Sequence, residues 1–476
     1  MHLRHAFSMV LLAWMLSLQS AWVVHAVPVV GDATISFWVR RALLEDPRIE
    51  ASNIKVNTSA GIVTLAGSVR NVIAKRYADL ETKKIAGVRG VVNALVVTPS
   101  FRSDTDITQD VRKRLINNAA ITSEGIRVTV HQGTVTLAGT VASWAERQEA
   151  ELLAGEVRGV TDVINQLVVQ YPHGRSDAEI QRDVATTLAR DVYLTGLPID
   201  ASVKDGMVTL QGEVGTVYQK ERAGDDARLT WNVIGVNNNL TLARGESRGT
   251  RQHSPTLTDD QLTAAVRDTL AADQRLMSSD VTVHVQHGAV TLHGLVPSYY
   301  QKRLTVQTAR DVGVTGVTDR LAVRTAPRDD ADLQADVAWQ LHTDALLAPG
   351  SLHVRCHNGI VTLTGEVNSA FEKRHATEVA ARVPGIRDLV NNITVSTHWD
   401  TDAAMAQRIQ DFLAANAETQ WVAHQIHVVV NQGVVTLTGT VNFWSERDAA
   451  GEVALDTEGI RRVDNQLVVA STESVQ

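Results

Sequence analysis

A single cysteine, Cys356, stands in 476 residues and excludes any disulfide within the chain. Each folded part must therefore stand on its own apolar core, even in an oxidising compartment. Aromatic residues make up only 4% of the chain, which advertises no deep aromatic ligand pocket. Low-complexity tracts, phosphate-cradling glycine loops, zinc-finger spacings and an HExxH pair are all missing. No catalytic residue, cofactor, metal site or small-molecule substrate is expected. The formal charge of −8 also makes the chain as a whole unsuited to nucleic acid.

What is present is repetition. The string Gly133-Thr-Val-Thr-Leu-Ala-Gly139 recurs with its glycines at Gly61 and Gly67, Gly206 and Gly212, Gly288 and Gly294, Gly359 and Gly365, and Gly433 and Gly439. The first glycines are 72, 73, 82, 71 and 74 residues apart, so the chain is an array of six small units.

Each unit opens on an aspartate (Asp32, Asp104, Asp177, Asp259, Asp330, Asp402), followed by apolar residues at +3, +7 and +11. That spacing predicts a helix with one buried stripe, its free N–H groups capped by the aspartate. Alternation follows, as in Ile126, Val128 and Val130, and marks a half-buried strand. A tight turn leads into the Val-Thr-Leu strand, with Asp205-Gly206 and Asn358-Gly359 the clearest hairpin signals. Four residues past the second glycine, Asn71, Ser143, Thr216, Ser298 and Ser369 stand as helix caps, while the sixth copy has Phe443. Glu146, Gln219, Gln301 and Glu372, three residues further on, are expected to complete capping boxes. A glycine such as Gly87, Gly159, Gly385 or Gly459 then ends the second helix before a closing strand.

The order is αββαβ, and the fold class is α+β: six tandem units, each a three-stranded sheet covered by two helices. The expected bounds are 32–98, 104–170, 177–243, 259–324, 330–396 and 402–470. Residues 244–258, with glycines, a proline and arginines, read as a hinge linker. The other short connections predict an elongated string. Residues 1–26 read as a signal peptide, with Arg4 ahead of the uncharged run Ala6 to Val24 and a cleavage point near Ala26. The alternative is an uncleaved inner-membrane anchor, since that run has 19 residues.

The G-x-V-T-L-x-G-x-V strand and the later G-V-x-x-V-x-N-x-L-x-V strand, seen from Gly159-Val160 to Val169, resemble the BON domain family (bacterial OsmY and nodulation). Copies three and four depart from it at Asn232 and Asp319, which leaves their closing strands open. The resemblance covers nearly the whole chain after the leader. It implies a periplasmic or envelope protein linked to osmotic stress, transport-associated systems and phospholipid binding.

One regularity lies outside the core. Eight residues after the second glycine every copy carries a base: Lys75, Arg147, Lys220, Lys302, Lys373 and Arg447, with Arg76, Arg303 and Arg374 adjacent in three copies. Aromatics precede it in five: Trp144, Tyr218, Tyr299 with Tyr300, Phe371 and Trp444. Such pairs suit a lipid headgroup zone. The structural alternative packs the aromatic between units and pairs the base with a local glutamate. Net charge by copy runs +4, −2, −2, +1, −3 and −7, so only the first is basic enough to seek an anionic surface.

Two further motifs carry no expectation of chemistry. His353 and His357 should face away from the inward Cys356, and Gly245-Glu-Ser247-Arg-Gly249 lacks the helix a nucleophile elbow needs. The expected partners are a phospholipid surface or, alternatively, envelope proteins held by an interaction scaffold or holdase-like chaperone.

Overall fold

A computed structural model of the protein describes residues 30–171, 174–243, 257–276, 280–348, 350–396 and 401–470. The leader, Ser247 and linker residues 244–256 lie outside the described residues. The second unit shows the pattern. Its leading helix Asp104–Ile116 precedes the antiparallel strands Ile126–His131 and Thr134–Val141, and the second helix Trp144–Gly155 leads to the closing strand Asp162–Val169. The closing strand runs parallel to the Val-Thr-Leu strand, which is therefore central. All six units repeat this sheet.

Burial follows the alternation. The inward valine and leucine of every central strand, such as Val135 and Leu137, are fully buried, and so is the helix stripe Ile107, Val111 and Leu115. Each unit has a hydrophobic cluster of its own. Cys356 points inward, half-buried among the fifth unit's core residues, with His353 and His357 exposed. Burial and its hydrogen bond to Asp330 push the thiol up to about 11.

The repeated glycines answer to backbone geometry. Gln132 and Gly133 both have positive φ, 50° and 77°, as a two-residue hairpin turn requires. At Gly139, with φ 130°, a Cβ would lie 1.9 Å from the Gly125 carbonyl oxygen, so no side chain fits. Asn232 takes the place of a helix-ending glycine and adopts the same left-handed conformation, φ 69°, which asparagine tolerates. The closing strands of units three and six are each split, Gly235–Asn238 with Thr241–Leu242 and Arg462–Asn465 with Val468–Val469, while that of unit four is continuous from Gly316 to Val323.

Three expectations are corrected. The opening aspartates do not cap their own helices; Ser103, Ser176, Thr258, Asp329 and Thr401 do so one residue earlier. Each opening aspartate instead reaches across to the hairpin. Asp104 accepts the amides of Gln132 and Gly133 at 2.8 and 2.9 Å, and the other five copies repeat the fork. These amide bonds hold the carboxyls of Asp104, Asp259 and Asp330 below the ordinary range.

The second-helix caps hold, with Ser143 accepting from Glu146 N at 3.1 Å. The return arm differs. Glu146, Gln219 and Glu372 accept the amide one residue before the cap, from Ala142, Gly215 and Asn368. Gln301 Nε2 donates to the Arg275 carbonyl. Glu446 holds the amides of Asn442 and Phe443, which serves the one copy whose cap has no acceptor.

The third correction concerns the whole chain, which is no elongated string. Unit one joins unit six, two joins five and three joins four, each through an antiparallel bridge: Ile85 to Asn416, Val157 to Asp344 and Thr230 to Asp273. In the first pair Ala86 N donates to Ala415 O and Ala417 N to Lys84 O. The second helices of units one, two and three pack on one another, as do those of four and five. Gly313 of unit four lies against Trp444 of unit six. Fully buried alanines on the second helices, such as Ala78, Ala150, Ala223 and Ala380, allow this approach. The short links fix only which units follow one another, and they do not oppose seams between units far apart in sequence.

Candidate functional site

The base-and-aromatic clusters begin each second helix, whose first turn lies over the closing strand. Arg147 donates from Nε to Leu167 O at 3.0 Å and from Nη2 to Asn165 O at 2.9 Å. Arg447 makes the same fork on Leu467 O and Asn465 O. These guanidinium groups cover carbonyls on the open edge of the sheet. The strand asparagine returns the contact: Asn165 Nδ2 donates to Arg147 O, and Asn93, Asn238, Asn391 and Asn465 to the carbonyls of Lys75, Lys220, Lys373 and Arg447. Unit four replaces it with Asp319, which cannot donate and instead pairs with Lys302 at 3.4 Å.

The aromatics occupy two positions that the sequence spacing merges. Trp144, Tyr299 and Trp444 take the first helical place. Arg147 lies over Trp144 at 4.6 Å and Arg447 over Trp444 at 5.5 Å. Tyr218, Tyr300 and Phe371 take the second place and face other units. Phe371 is 3% exposed. It meets Tyr77 of unit one at 5.9 Å, stacks on His375, and lies under Arg48. Tyr218 packs on Tyr193 and accepts from Arg222. Burial pushes the hydroxyls of Tyr218 and Tyr300 up to about 12. Arg303 and Arg374 both lie 3.9 Å from Glu378. Among the fifteen residues of these clusters, only Arg76 is exposed; the others are half-buried or buried.

A second set escaped the sequence reading. Fourteen residues after each opening aspartate stands an Asx residue: Asp46, Asn118, Asp191, Asp273, Asp344 and Asn416. Each accepts the amide two residues ahead, as Asp344 Oδ1 does from Leu346 at 2.9 Å. The invariant spacing was the signal that could have found them. They lie at the seams between paired units. Between units two and five, Arg114 is wholly buried and donates to Glu156, Asp344 and Gln340 O. Arg382 also pairs with Glu156, at 2.9 Å, and His375 with Asp344 at 3.0 Å. Burial opposes the charge on His375, but Asp344 holds its ring above the usual range. The acidic atoms of Glu156 and Asp344 come within 4.8 Å of the His375 ring nitrogen, close enough for a metal. The two guanidinium groups already occupy both carboxylates, so the cluster is an ion-pair network that ties the seam.

No helix among the described residues is long and apolar enough to cross a membrane. Comparison with known proteins finds similarity to the osmotically-inducible protein Y of Escherichia coli, 31% identical over 143 residues, covering 29% of this chain and 71% of that protein. A 21 kDa hemolysin of Actinobacillus pleuropneumoniae is 29% identical, over 28% of this chain and 71% of its own length. The outer membrane lipoprotein DolP of Haemophilus influenzae is also 29% identical, over 28% of this chain and 72% of its own. The BON domain model matches six times, at residues 31–99, 103–171, 176–244, 258–325, 329–397 and 401–471. With six matches spanning nearly all the described chain, and the αββαβ unit found at each, the protein belongs to the BON domain family.

Proposed function

We propose that the protein is an exported, non-enzymatic envelope protein of the periplasm that associates with anionic phospholipid surfaces, in osmotic or envelope stress or a transport-associated system. Two relatives support the setting by their names, one osmotically inducible and one an outer membrane lipoprotein. The observation that carries the contact is the first unit. It alone is strongly basic, at +4. Its leading helix turns Phe37 and Leu44, 55% and 57% exposed, to solvent beside Arg40. Seven residues separate the two apolar groups, which places them on one helix face. Arg76 adds an exposed guanidinium to the same unit. The other clusters are engaged either at seams or over their own closing strands, so one basic unit rather than six equal contacts would meet the membrane.

Co-sedimentation of the full chain with phosphatidylglycerol and phosphatidylcholine vesicles tests this reading. Binding to the anionic vesicles should exceed binding to the neutral ones and fall with salt. Each base near the surface contributes about 1 kcal/mol, so the double reversal Lys75→Glu, Arg76→Glu should weaken binding about tenfold or more. Phe37→Ser with Leu44→Ser should weaken it as well. Binding to neither vesicle sinks the proposal.

The outer sheet faces favour a second reading, an interaction scaffold or holdase-like chaperone. Val92, Val96, Ile164, Val168 and Val468 on the closing strands are between 45% and 62% exposed. Recovery of defined envelope proteins from a lipid-free extract, lost on Val96→Thr with Val168→Thr, would support it.

A further inference from the structure

The seam between units three and four, bridged at Thr230 and Asp273, joins the two units on either side of the linker in sequence. Their leading helices, Asp177–Arg190 and Asp259–Ala272, pack on one another there. Between the units lies a cavity of about 100 Å³, lined by Asp191, Arg222 and Asp226 from unit three and Asp273, Arg275 and Asp311 from unit four. Its cations are committed. Arg275 pairs with Asp273 at 2.7 Å, and Arg190 with Asp268 at 2.6 Å. Arg222 pairs with Asp191 at 2.5 Å, donates to the Tyr218 hydroxyl and covers the Tyr193 ring at 4.6 Å.

Asp226 and Asp311 face this cavity with no cation at ion-pair distance among the described residues. Asp226 Oδ2 is buried and meets no hydrogen-bond donor there. Asp311 accepts the neutral amide of Gln307 at 3.0 Å. The charges around the two acids bring little relief. Asp225 pairs with Arg228 at 2.8 Å, and Arg310, next to Asp311, is exposed. From unit six, Asp448 accepts the Tyr193 hydroxyl at 2.9 Å, and one turn further Glu452 pairs with Lys84 at 3.3 Å. Burial and the Asp191 charge push the Asp226 carboxyl well up, against the pull of Arg222. Burial pushes Asp311 up to about 6, with Arg222 opposing it and Asp191 and Asp448 adding to it.

We propose that this seam is a proton-operated clasp: with Asp226 and Asp311 protonated, units three and four stay shut on one another, and ionisation of both loosens them. Two further negative charges beside Asp191 then share the single guanidinium of Arg222 across the joint. The sign follows from linkage. In the unfolded chain aspartates titrate near about 3.9, so above that pH the folded seam keeps protons that the unfolded chain has released. The stability those protons confer is fully present below about pH 4 and is lost as pH rises through about 6. A carboxylate held by a salt bridge does the reverse.

Hydrogen exchange of the full chain from pH 5 to pH 8, corrected for the intrinsic rate at each pH, tests the clasp. Protection of residues 228–233 should fall about tenfold or more as pH rises through 6, while the central strand Thr134–Val141 of unit two keeps its protection. Asp226→Asn with Asp311→Asn should keep the seam protected throughout. The double variant should also unfold about 5 °C above the parent at pH 7.5, with little difference at pH 5. Asp200→Asn, on an exposed strand position of unit three, should leave the pH dependence of the parent unchanged. Circular dichroism checks the fold of each variant, and exchange in the parent decides alone where a variant fails to fold. Seam protection that does not change with pH in the parent overturns the proposal. So does an equal loss in the central strand of unit two, or a folded double variant that loses seam protection as the parent does.

Discussion

Asp104 and Gly139 illustrate how much of each unit rests on single residues. The Asp104 carboxylate reaches from the leading helix to two turn amides, so one side chain fixes the angle between helix and hairpin. Gly139 lets the Gly125 carbonyl approach to a distance that only hydrogen allows. Gly139→Ala must both hold a left-handed backbone and push that carbonyl aside. A loss of about 3 kcal/mol is expected, read as a lower urea midpoint for the transition that includes unit two. The same substitution at Gly174, where a Cβ meets nothing within 4 Å, should change little.

Among elements, the junction of second helix and closing strand separates the two readings of the base-and-aromatic cluster. The Arg147 fork onto Leu167 O and Asn165 O is a matter of shape as well as charge. Arg147→Met should cost about 1–2 kcal/mol by losing charge-assisted bonds at a partly exposed edge, and Arg147→Lys should restore less than half of it. A site that used only the positive charge would be restored fully by lysine, so denaturation of both variants distinguishes them. Much at this scale was legible in the sequence, because six copies in one chain expose each other's constants. The Val-Thr-Leu strand, the hairpin glycines and the stripe of Ile107, Val111 and Leu115 all follow from periodicity. The target of Asp104 was not legible, since an aspartate at a helix start has a simpler local use. The split of aromatics into Trp144-like and Tyr218-like places was hidden for another reason. A shift of one residue on a helix turns a side chain by about 100° toward a different neighbour, and no neighbour was known.

For the whole molecule, the seams matter more than the units. Arg114 sits between units two and five with no exposed surface, shared by Glu156, Asp344 and a carbonyl. Arg114→Ala leaves buried acid short of a partner, at a cost of about 3–5 kcal/mol. Calorimetry should show units two and five unfold at a lower temperature and less cooperatively than in the parent protein, whereas Arg127→Ala on an exposed strand position should leave the profile unchanged. The Asx residues fourteen places after each opening aspartate lie at these seams, and their regularity could have been noticed. Which seam joins which unit could not, because pairing across the chain leaves no period in the sequence.

Pairing first with sixth, second with fifth and third with fourth also sets a timetable. Chains are made amino end first, and the innermost couple needs only one linker to close. The outermost couple must wait for the last strand to be synthesised. Until then the backbone groups of Lys84 and Ala86, which finally meet Ala417 and Ala415, stay open to water or to a passing chaperone. The cluster is thus finished from its middle outward, and the portion born earliest is the last to be satisfied.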